Sequence, residues 1–124
     1  MKVTINVTDA FIRLAKPLIK KYPSLKSELS DLETELLKSP RLGEPLGNDS
    51  YKIRLVVHSK GKGKSGGLRV ISYVETILII SNNQKLEQIE VNLISIYDKS
   101  KTSTLSNQEI KNLIHNIRVR KLIL

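Results

Sequence analysis

Residues 68–80 read Leu-Arg-Val-Ile-Ser-Tyr-Val-Glu-Thr-Ile-Leu-Ile-Ile. This stretch is rich in β-branched and aromatic residues, which predicts a long strand. Asn82-Asn83 follows as a turn signal, and residues 88–97 predict another strand. The two strands and their turn form the centre of the predicted fold, and the other elements are placed around them.

One more strand precedes this pair. Ile53, Leu55 and Val57 alternate with polar residues, which is the period of a half-buried strand. A connection rich in glycine and lysine, residues 59–67, leads from it to Leu68. Three consecutive strands with short connections predict an antiparallel meander.

Helices are predicted before and after the meander. A first strand around residues 3–7 is followed by Thr8-Asp9, which suits a helix N-cap, and then by apolar residues at helical spacing from Phe11 to Ile19. Pro17 lies within that pattern, so this helix either kinks there or begins later. Apolar stripes predict two more helices, and a loop over residues 41–50 follows the first of them. The second, at the C-terminal end, opens with the capping box Ser106–Glu109. The apolar stripes of these two helices are Leu25, Leu29, Leu32 and Leu36, and then Ile110, Leu113, Ile114 and Ile117.

The predicted order is therefore β-α-α-β-β-β-α over a single domain, residues 1–124. This is an α+β fold in which a helical hairpin packs on one face of a small, curved, antiparallel sheet. The chain has no cysteine, which excludes disulfides and thiolate chemistry. No apolar run is long enough for a membrane helix and no signal peptide is visible, so we expect a cytoplasmic protein without membrane contact.

Charge indicates the kind of partner. The 124 residues carry a net charge of +9, with 21 Lys and Arg against 12 Asp and Glu, which favours nucleic acid or another anionic surface. Six of these cations fall between Tyr51 and Arg69, where there is no acid: Lys52, Arg54, Lys60, Lys62, Lys64 and Arg69. Strand alternation predicts that Lys52, Arg54 and His58 line the sheet face that the helices leave uncovered. A solvated edge hairpin whose lysines prevent aggregation is the alternative.

Other kinds of site fit the sequence poorly. Gly63-Lys64-Ser65 ends like a P-loop, but His58 stands where its first glycine belongs and a strand, not a helix, follows. The only histidines, His58 and His115, do not suggest a two-histidine ribonuclease site. The carboxylates Glu28, Asp31, Glu33 and Glu35 look like the solvated face of the second helix. No spacing suggests metal ligands, so neither a metal nor another cofactor is expected.

Several segments, in order along nearly the whole chain, resemble the RelE/HigB toxins of bacterial type II toxin–antitoxin systems. The most specific is the run from Gly61 to Ile71, Gly-Lys-Gly-Lys-Ser-Gly-Gly-Leu-Arg-Val-Ile. The others are Tyr22-Pro23-Ser24, Tyr51-Lys52-Ile53-Arg54-Leu55 and Ile96-Tyr97-Asp98-Lys99-Ser100. The likeness is to the HigB-type branch.

The resemblance implies a RelE-like fold and a ribosome-dependent messenger-RNA endonuclease that needs no metal. Such a toxin cuts the codon in the ribosomal A site and is neutralised by a cognate antitoxin, often a helix-turn-helix protein. The catalytic residues it implies are Arg54, Lys64, Arg69 and Lys99. RNA contacts are expected from Lys52, Lys60, Lys62 and Lys101. Some relatives have a tyrosine or histidine near the C-terminus, where this chain has Leu105 and Ser106, so the general base stays open between Lys64 and Lys52.

Two alternatives remain. ParE toxins share the fold but inhibit DNA gyrase and lack the catalytic cations, so the dense Lys and Arg set favours the nuclease. A non-catalytic nucleic-acid-binding protein is the other alternative.

Overall fold

The computed structural model describes residues 2–60, 67–100 and 106–123. Five strands, three α-helices and one short 3₁₀ turn make up this part of the chain. They are β1 (Lys2–Val7), α1 (Asp9–Lys21), α2 (Leu25–Lys38), β2 (Glu44–Gly47), β3 (Ser50–Leu55), the 3₁₀ turn (His58–Lys60), β4 (Leu68–Ser81), β5 (Gln84–Asp98) and α3 (Asn107–Ile123).

The strands form one mixed sheet in the order β1-β5-β4-β3-β2. The predicted α+β class and the antiparallel meander β3-β4-β5 are confirmed. A wholly antiparallel sheet was the wrong prediction, because β1 runs parallel to β5. The helical hairpin connects β1 to β2 at the opposite edge of the sheet. The following strands lead back across the sheet, so that the last strand, β5, lies beside β1 and runs parallel to it.

The fifth strand, β2, lies within the segment predicted to be a loop. It pairs antiparallel with β3, and Asn48 and Asp49 close the turn between them with φ angles of 53° and 59°. Asparagine and aspartate tolerate this left-handed conformation better than other residues with side chains. Pro45 lies in a strand at the sheet's edge, where a missing N–H is tolerated.

Local signals fix the starts of α1 and α3. Thr8 caps α1, its Oγ1 accepting a hydrogen bond from the Phe11 N–H at 3.2 Å, and the helix then continues through Pro17. A later start for this helix is therefore wrong. The capping box of α3 is confirmed, since Glu109 N–H donates to Ser106 Oγ at 3.1 Å and Ser106 N–H donates to Glu109 Oε1 at 3.2 Å.

Each face of the sheet has its own core. The helices α1 and α2 bury Phe11, Leu25 and Leu36 against one face, which contributes Ile53 and Val70. On the opposite face α3 buries a smaller cluster made of Ile71, Tyr73, Ile94, Tyr97, Ile110 and Ile114. The prediction that helices leave one face uncovered was wrong, because the apolar stripe of α3 requires a surface to pack on.

The hairpin β4–β5 is longer than its neighbours. β3 pairs with β4 only as far as Tyr73, and β1 begins its pairing with β5 at Gln88. The remaining two-stranded ribbon ends in a turn at Asn82 and Asn83, with φ angles of 50° and 63°, as suits a two-residue hairpin connection. Within the described ranges, no helix is long and apolar enough to cross a membrane.

Candidate nucleic-acid interface

A row of three side chains crosses the sheet near one end. Arg54 on β3 is the direct partner of Arg69 on β4, and Arg69 is in turn the partner of Tyr97 on β5. Directly paired residues project from the same face of a sheet. The two arginines therefore share the face that carries α3. They border the apolar cluster beneath that helix, to which Tyr97 belongs.

Arg69 is buried although it carries a charge. The residue is 5% exposed, and its Nη1 donates a hydrogen bond to the Leu68 carbonyl at 3.3 Å. No carboxylate in the described ranges forms an ion pair with it. A buried cation without a counter-charge is costly, so this position suits a site where an external anion supplies the missing charge.

Gly67 allows the chain to turn into β4 close to this guanidinium. Its φ of 143° is one that L side chains rarely adopt. A Cβ at this position would also lie 2.8 Å from the Leu55 carbonyl oxygen and 3.8 Å from Arg69 Nη1. A glycine is therefore required where the connection from β3 enters β4.

Among the described residues, Arg54 and Lys99 are accessible cations at this end of the sheet. Both are exposed, whereas Arg69 is not. Lys99 follows β5 directly, and the last residue of β5, Asp98, pairs with Leu68 at the start of β4. Leu68 is also the partner of Leu55, where β3 ends. The fold thus brings the backbone of Lys99 to the end of the sheet that carries Arg54 and Arg69.

Lys52 does not stand free of acids, contrary to the expectation for this stretch. It pairs across the sheet with Glu44 on β2, and its Nζ lies 3.5 Å from Glu44 Oε2. The acid comes from β2, which the sequence did not predict to be a strand. The other expected site residues, namely Lys62, Lys64, Lys101 and the side chain of Lys60, lie outside the described residues, as does Leu105.

His58 was predicted to share a face with Lys52 and Arg54, and this prediction was wrong. β3 ends at Leu55, and the 3₁₀ turn directs His58 towards α2 on the opposite side of the sheet. There the N–H of His58 donates to Glu28 Oε2 at 2.7 Å, and its Nδ1 lies 2.5 Å from the same oxygen. His115 is exposed on α3, as expected for a surface residue.

Glu28 is the partner that sequence reasoning missed. It was assigned to the solvated face of α2, but it is only 7% exposed, whereas Asp31, Glu33 and Glu35 are exposed. Burial raises the pKa of Glu28, but hydrogen bonds from the backbone and ring of His58 and from Ser24 outweigh it, so the pKa is lowered. Glu28 lies three residues after Leu25 and four before Leu32, which is the spacing of the buried side of the helix. That spacing could have predicted that Glu28 is buried.

Two tyrosines near the end of the sheet that carries Arg54 and Arg69 were not predicted as site residues. Tyr97 is buried, and its hydroxyl has no hydrogen-bond partner among the described residues. Tyr22 donates to Asp98 Oδ2 at 2.9 Å, while Asp98 Oδ1 accepts from the N–H and hydroxyl of Ser100. Burial, followed by this hydrogen bond and the charge of Asp98, raises the pKa of Tyr22. Asp98 is thereby held from both sides, which fixes the turn that carries Lys99.

The site is thus the cationic end of the mixed sheet in an α+β fold. The paired arginines there have no carboxylate ion-pair partner in the described ranges. Within the same ranges, no three histidine or acidic side chains come together as potential metal ligands. No family model matches the chain.

Proposed function

We propose that this protein is the toxin component of a type II toxin–antitoxin system, a ribosome-dependent endonuclease that cuts messenger RNA and stops translation. The observation that carries the proposal is the cross-strand pair Arg54–Arg69, which has no carboxylate ion-pair partner in the described part of the chain. Two guanidinium groups on one face can bind a phosphate through several hydrogen bonds. The resemblance in sequence to RelE/HigB toxins supports the same assignment.

The nucleophile and the leaving group both belong to the RNA, so the protein has to supply only proton transfer and charge stabilisation. The ribose 2′-oxygen attacks the adjacent phosphorus, its proton passes to a base, and the bond from phosphorus to the 5′-oxygen breaks as that oxygen gains a proton. The products are a 2′,3′-cyclic phosphate and a 5′-hydroxyl. Negative charge accumulates on the phosphorane oxygens, and fixed cations stabilise it.

We assign the roles from the resemblance, and the positions of Arg54 and Arg69 support the first two. Buried Arg69 stabilises the charge of the transition state, and exposed Arg54 holds the phosphate from the neighbouring strand. Lys99 serves the leaving oxygen. Lys64, whose position the structure does not describe, is the proposed base, because the cations that cluster around it in sequence favour a neutral amine. Lys52, which is ion-paired with Glu44, contributes to RNA binding together with Lys60, Lys62 and Lys101.

The ribosome explains how so few acid–base groups suffice. A message held in the A site is already oriented for in-line attack, and such positioning replaces part of the catalytic machinery. We therefore assign the substrate as messenger RNA on the ribosome, with no small-molecule cofactor. We infer a RelE-like fold, to which β2 adds one edge strand beyond the predicted order.

The second partner we propose is a cognate antitoxin with a helix-turn-helix domain. To neutralise the toxin it would cover the cationic end of the sheet with acidic residues or prevent docking on the ribosome. A structure of the complex with this end uncovered and ribosome docking unhindered would refute that arrangement.

The proposal is tested by inducing the protein in bacterial cells and mapping the 5′ ends of messenger RNA. We expect cuts in phase with codons, which vanish in Arg69→Ala and persist in Arg13→Ala, an exposed arginine on α1. Growth arrest with intact messages and double-strand DNA breaks would instead indicate a ParE-like inhibitor of gyrase. Absence of toxicity would leave a nucleic-acid-binding protein.

Binding without cleavage is the second candidate, and the position of His58 favours it. The histidine nearest to the arginines in sequence contacts Glu28 on the other side of the sheet and is removed from the phosphate site. A protein that binds RNA with the same salt dependence but leaves messages intact would be of this kind.

A further inference from the structure

The free ribbon of β4 and β5 exposes an unusual amount of aliphatic surface. Ile80 is 71% exposed, Leu78 58%, Leu86 56% and Ile79 42%. These side chains alternate between the two faces of the ribbon, so both faces are apolar. An isolated two-stranded ribbon is only marginally stable in water. Pairing with a further strand would stabilise it.

The edge of β4 along this ribbon is open. The N–H of Val74 donates to the Asp49 carbonyl at 2.9 Å, and among the described residues no backbone hydrogen bond follows it on that side. Because backbone groups alternate in direction along a strand, the N–H and carbonyl groups of Thr76, Leu78 and Ile80 point to the same side. No strand in the described ranges pairs with them there.

The other edges of the sheet carry features that discourage pairing. β2 has only four residues and contains Pro45, β1 has six and begins with exposed Lys2, and the free edge of β5 carries exposed Lys85 and Glu87. Short strands, proline and charges are the usual protection of a sheet edge. Residues 76–84 contain no charge and no proline. The Arg41 guanidinium donates to the Thr76 hydroxyl at 3.4 Å, so one cation reaches the start of this edge. Beyond Thr76 the β4 edge has no proline or charged residue of its own.

The sequence of this edge is complementary to itself. Antiparallel pairing of two copies about a two-fold axis at Leu78 sets Ile77 opposite Ile79, Thr76 opposite Ile80, and Glu75 opposite Ser81. Every pair then avoids like charges, and β-branched residues face each other, as stable cross-strand pairs do. A two-fold interface requires this kind of self-complementarity.

Charge also favours this location. Two copies with a net charge of +9 each repel one another, and the uncharged ribbon is where they can approach at least cost. Leu78 is nine residues along β4 from Arg69, a separation of about 30 Å. Pairing there leaves the cationic end of the sheet accessible in both copies.

We propose that this protein forms a two-fold homodimer through the β4 edge, in which the strands of two copies pair over residues 75–81 and join the two sheets. The inference is independent of the proposed nuclease activity. It predicts that assembly and RNA chemistry occupy opposite ends of β4.

Sedimentation equilibrium of the full chain over a wide concentration range tests the dimer. The wild type should reach twice the mass of one chain. Leu78→Lys should keep the mass of one chain, because two lysines would lie opposite each other at the axis. Leu86→Lys is the matched control, since it removes a leucine of nearly equal exposure from the other strand and should dimerise like the wild type.

A wild type that stays monomeric overturns the proposal, even if the ribbon binds a different protein. Equal loss of dimer in both variants also overturns it, because stacking of the apolar faces would then hold the copies together. Hydrogen exchange of the wild type needs no variant. The amides of Leu78 and Ile80 should exchange more slowly at high concentration, and exchange rates that do not change would contradict edge pairing.

Discussion

Arg54 on β3 and Arg69 on β4 are direct antiparallel partners, the first exposed and the second 5% exposed. Like charges placed directly opposite each other destabilise a sheet. Neither arginine forms an ion pair with a carboxylate in the described ranges. The Arg54–Arg69 pair therefore lowers the free energy of unfolding. Such a cost is expected when residues are placed for binding and not for stability.

Removal of the Arg54 side chain should affect stability and activity in opposite directions. Arg54→Ala should leave the free energy of unfolding unchanged or raise it by about 0.2–1 kcal/mol, because the repulsion is removed. The same change should lower RNA cleavage. Chemical denaturation and a cleavage assay check the two effects, with Arg13→Ala as control. Loss of stability in parallel with activity would show that Arg54 serves mainly the fold.

Salt dependence should report the phosphates that the cationic end neutralises. The logarithm of the RNA association constant should fall linearly with the logarithm of salt concentration, and each lost cation should reduce the slope by about 0.7 for single strands. Fluorescence anisotropy with Arg54→Ala and Arg13→Ala measures this difference. A flat salt response of the wild type would rule out an electrostatic interface.

The buried carboxylate of Glu28 should make stability depend on acid pH. Its pKa is lowered in the fold, so its contribution is complete above the ordinary value of 4.5 and is lost as pH falls through the lowered value. Glu28→Gln should cost about 1–3 kcal/mol at neutral pH, because it weakens the bonds to His58 and Ser24. That deficit should shrink below pH 4.5.

Denaturation at several pH values measures this deficit, with Glu35→Gln on the exposed side of α2 as the matched control. The control should stay within about 0.5 kcal/mol of the wild type. A deficit for Glu28→Gln that is the same at acid and neutral pH would contradict the assignment.

Tyr22 should make stability depend on alkaline pH in the opposite sense. Its pKa is raised, so its contribution is complete below the ordinary value of 10.0 and is lost as pH rises through the raised value. Tyr22→Phe should cost about 1–3 kcal/mol at neutral pH, since buried Asp98 loses a donor. Thermal unfolding checks this against Tyr51→Phe, whose hydroxyl accepts an exposed bond from Arg41. Equal effects in the two variants would contradict a special role for Tyr22.

Local patterns in the sequence were sufficient for most elements. Thr8 and the pair Ser106–Glu109 mark helix starts through contacts within one turn, and Asn82-Asn83 marks its hairpin in the same way. β2 was missed because Pro45 and its neighbouring glycines look like a loop, and only pairing with β3 makes the segment a strand. The parallel alignment of β1 with β5 is likewise a long-range feature with no local signal.

The candidate site was predictable to the same extent. Alternation along β3 placed Arg54 away from the core of the helical hairpin, and the observed register pairs it with Arg69 on β4. Alternation failed for His58, because β3 ends three residues earlier and the chain turns towards Glu28. The contacts Lys52–Glu44 and Tyr22–Asp98 join residues that no periodicity relates.

We propose that the arginine pair belongs to a site that cuts messenger RNA on the ribosome. A cleavage assay with purified protein and ribosomes that hold a defined codon in the A site tests this. We expect a 2′,3′-cyclic phosphate and a 5′-hydroxyl at that codon, with Arg13→Ala as active as the wild type and Arg69→Ala slower by about 10²-fold or more. An intact message with folded wild-type protein, or cleavage by Arg69→Ala at the wild-type rate, would contradict it.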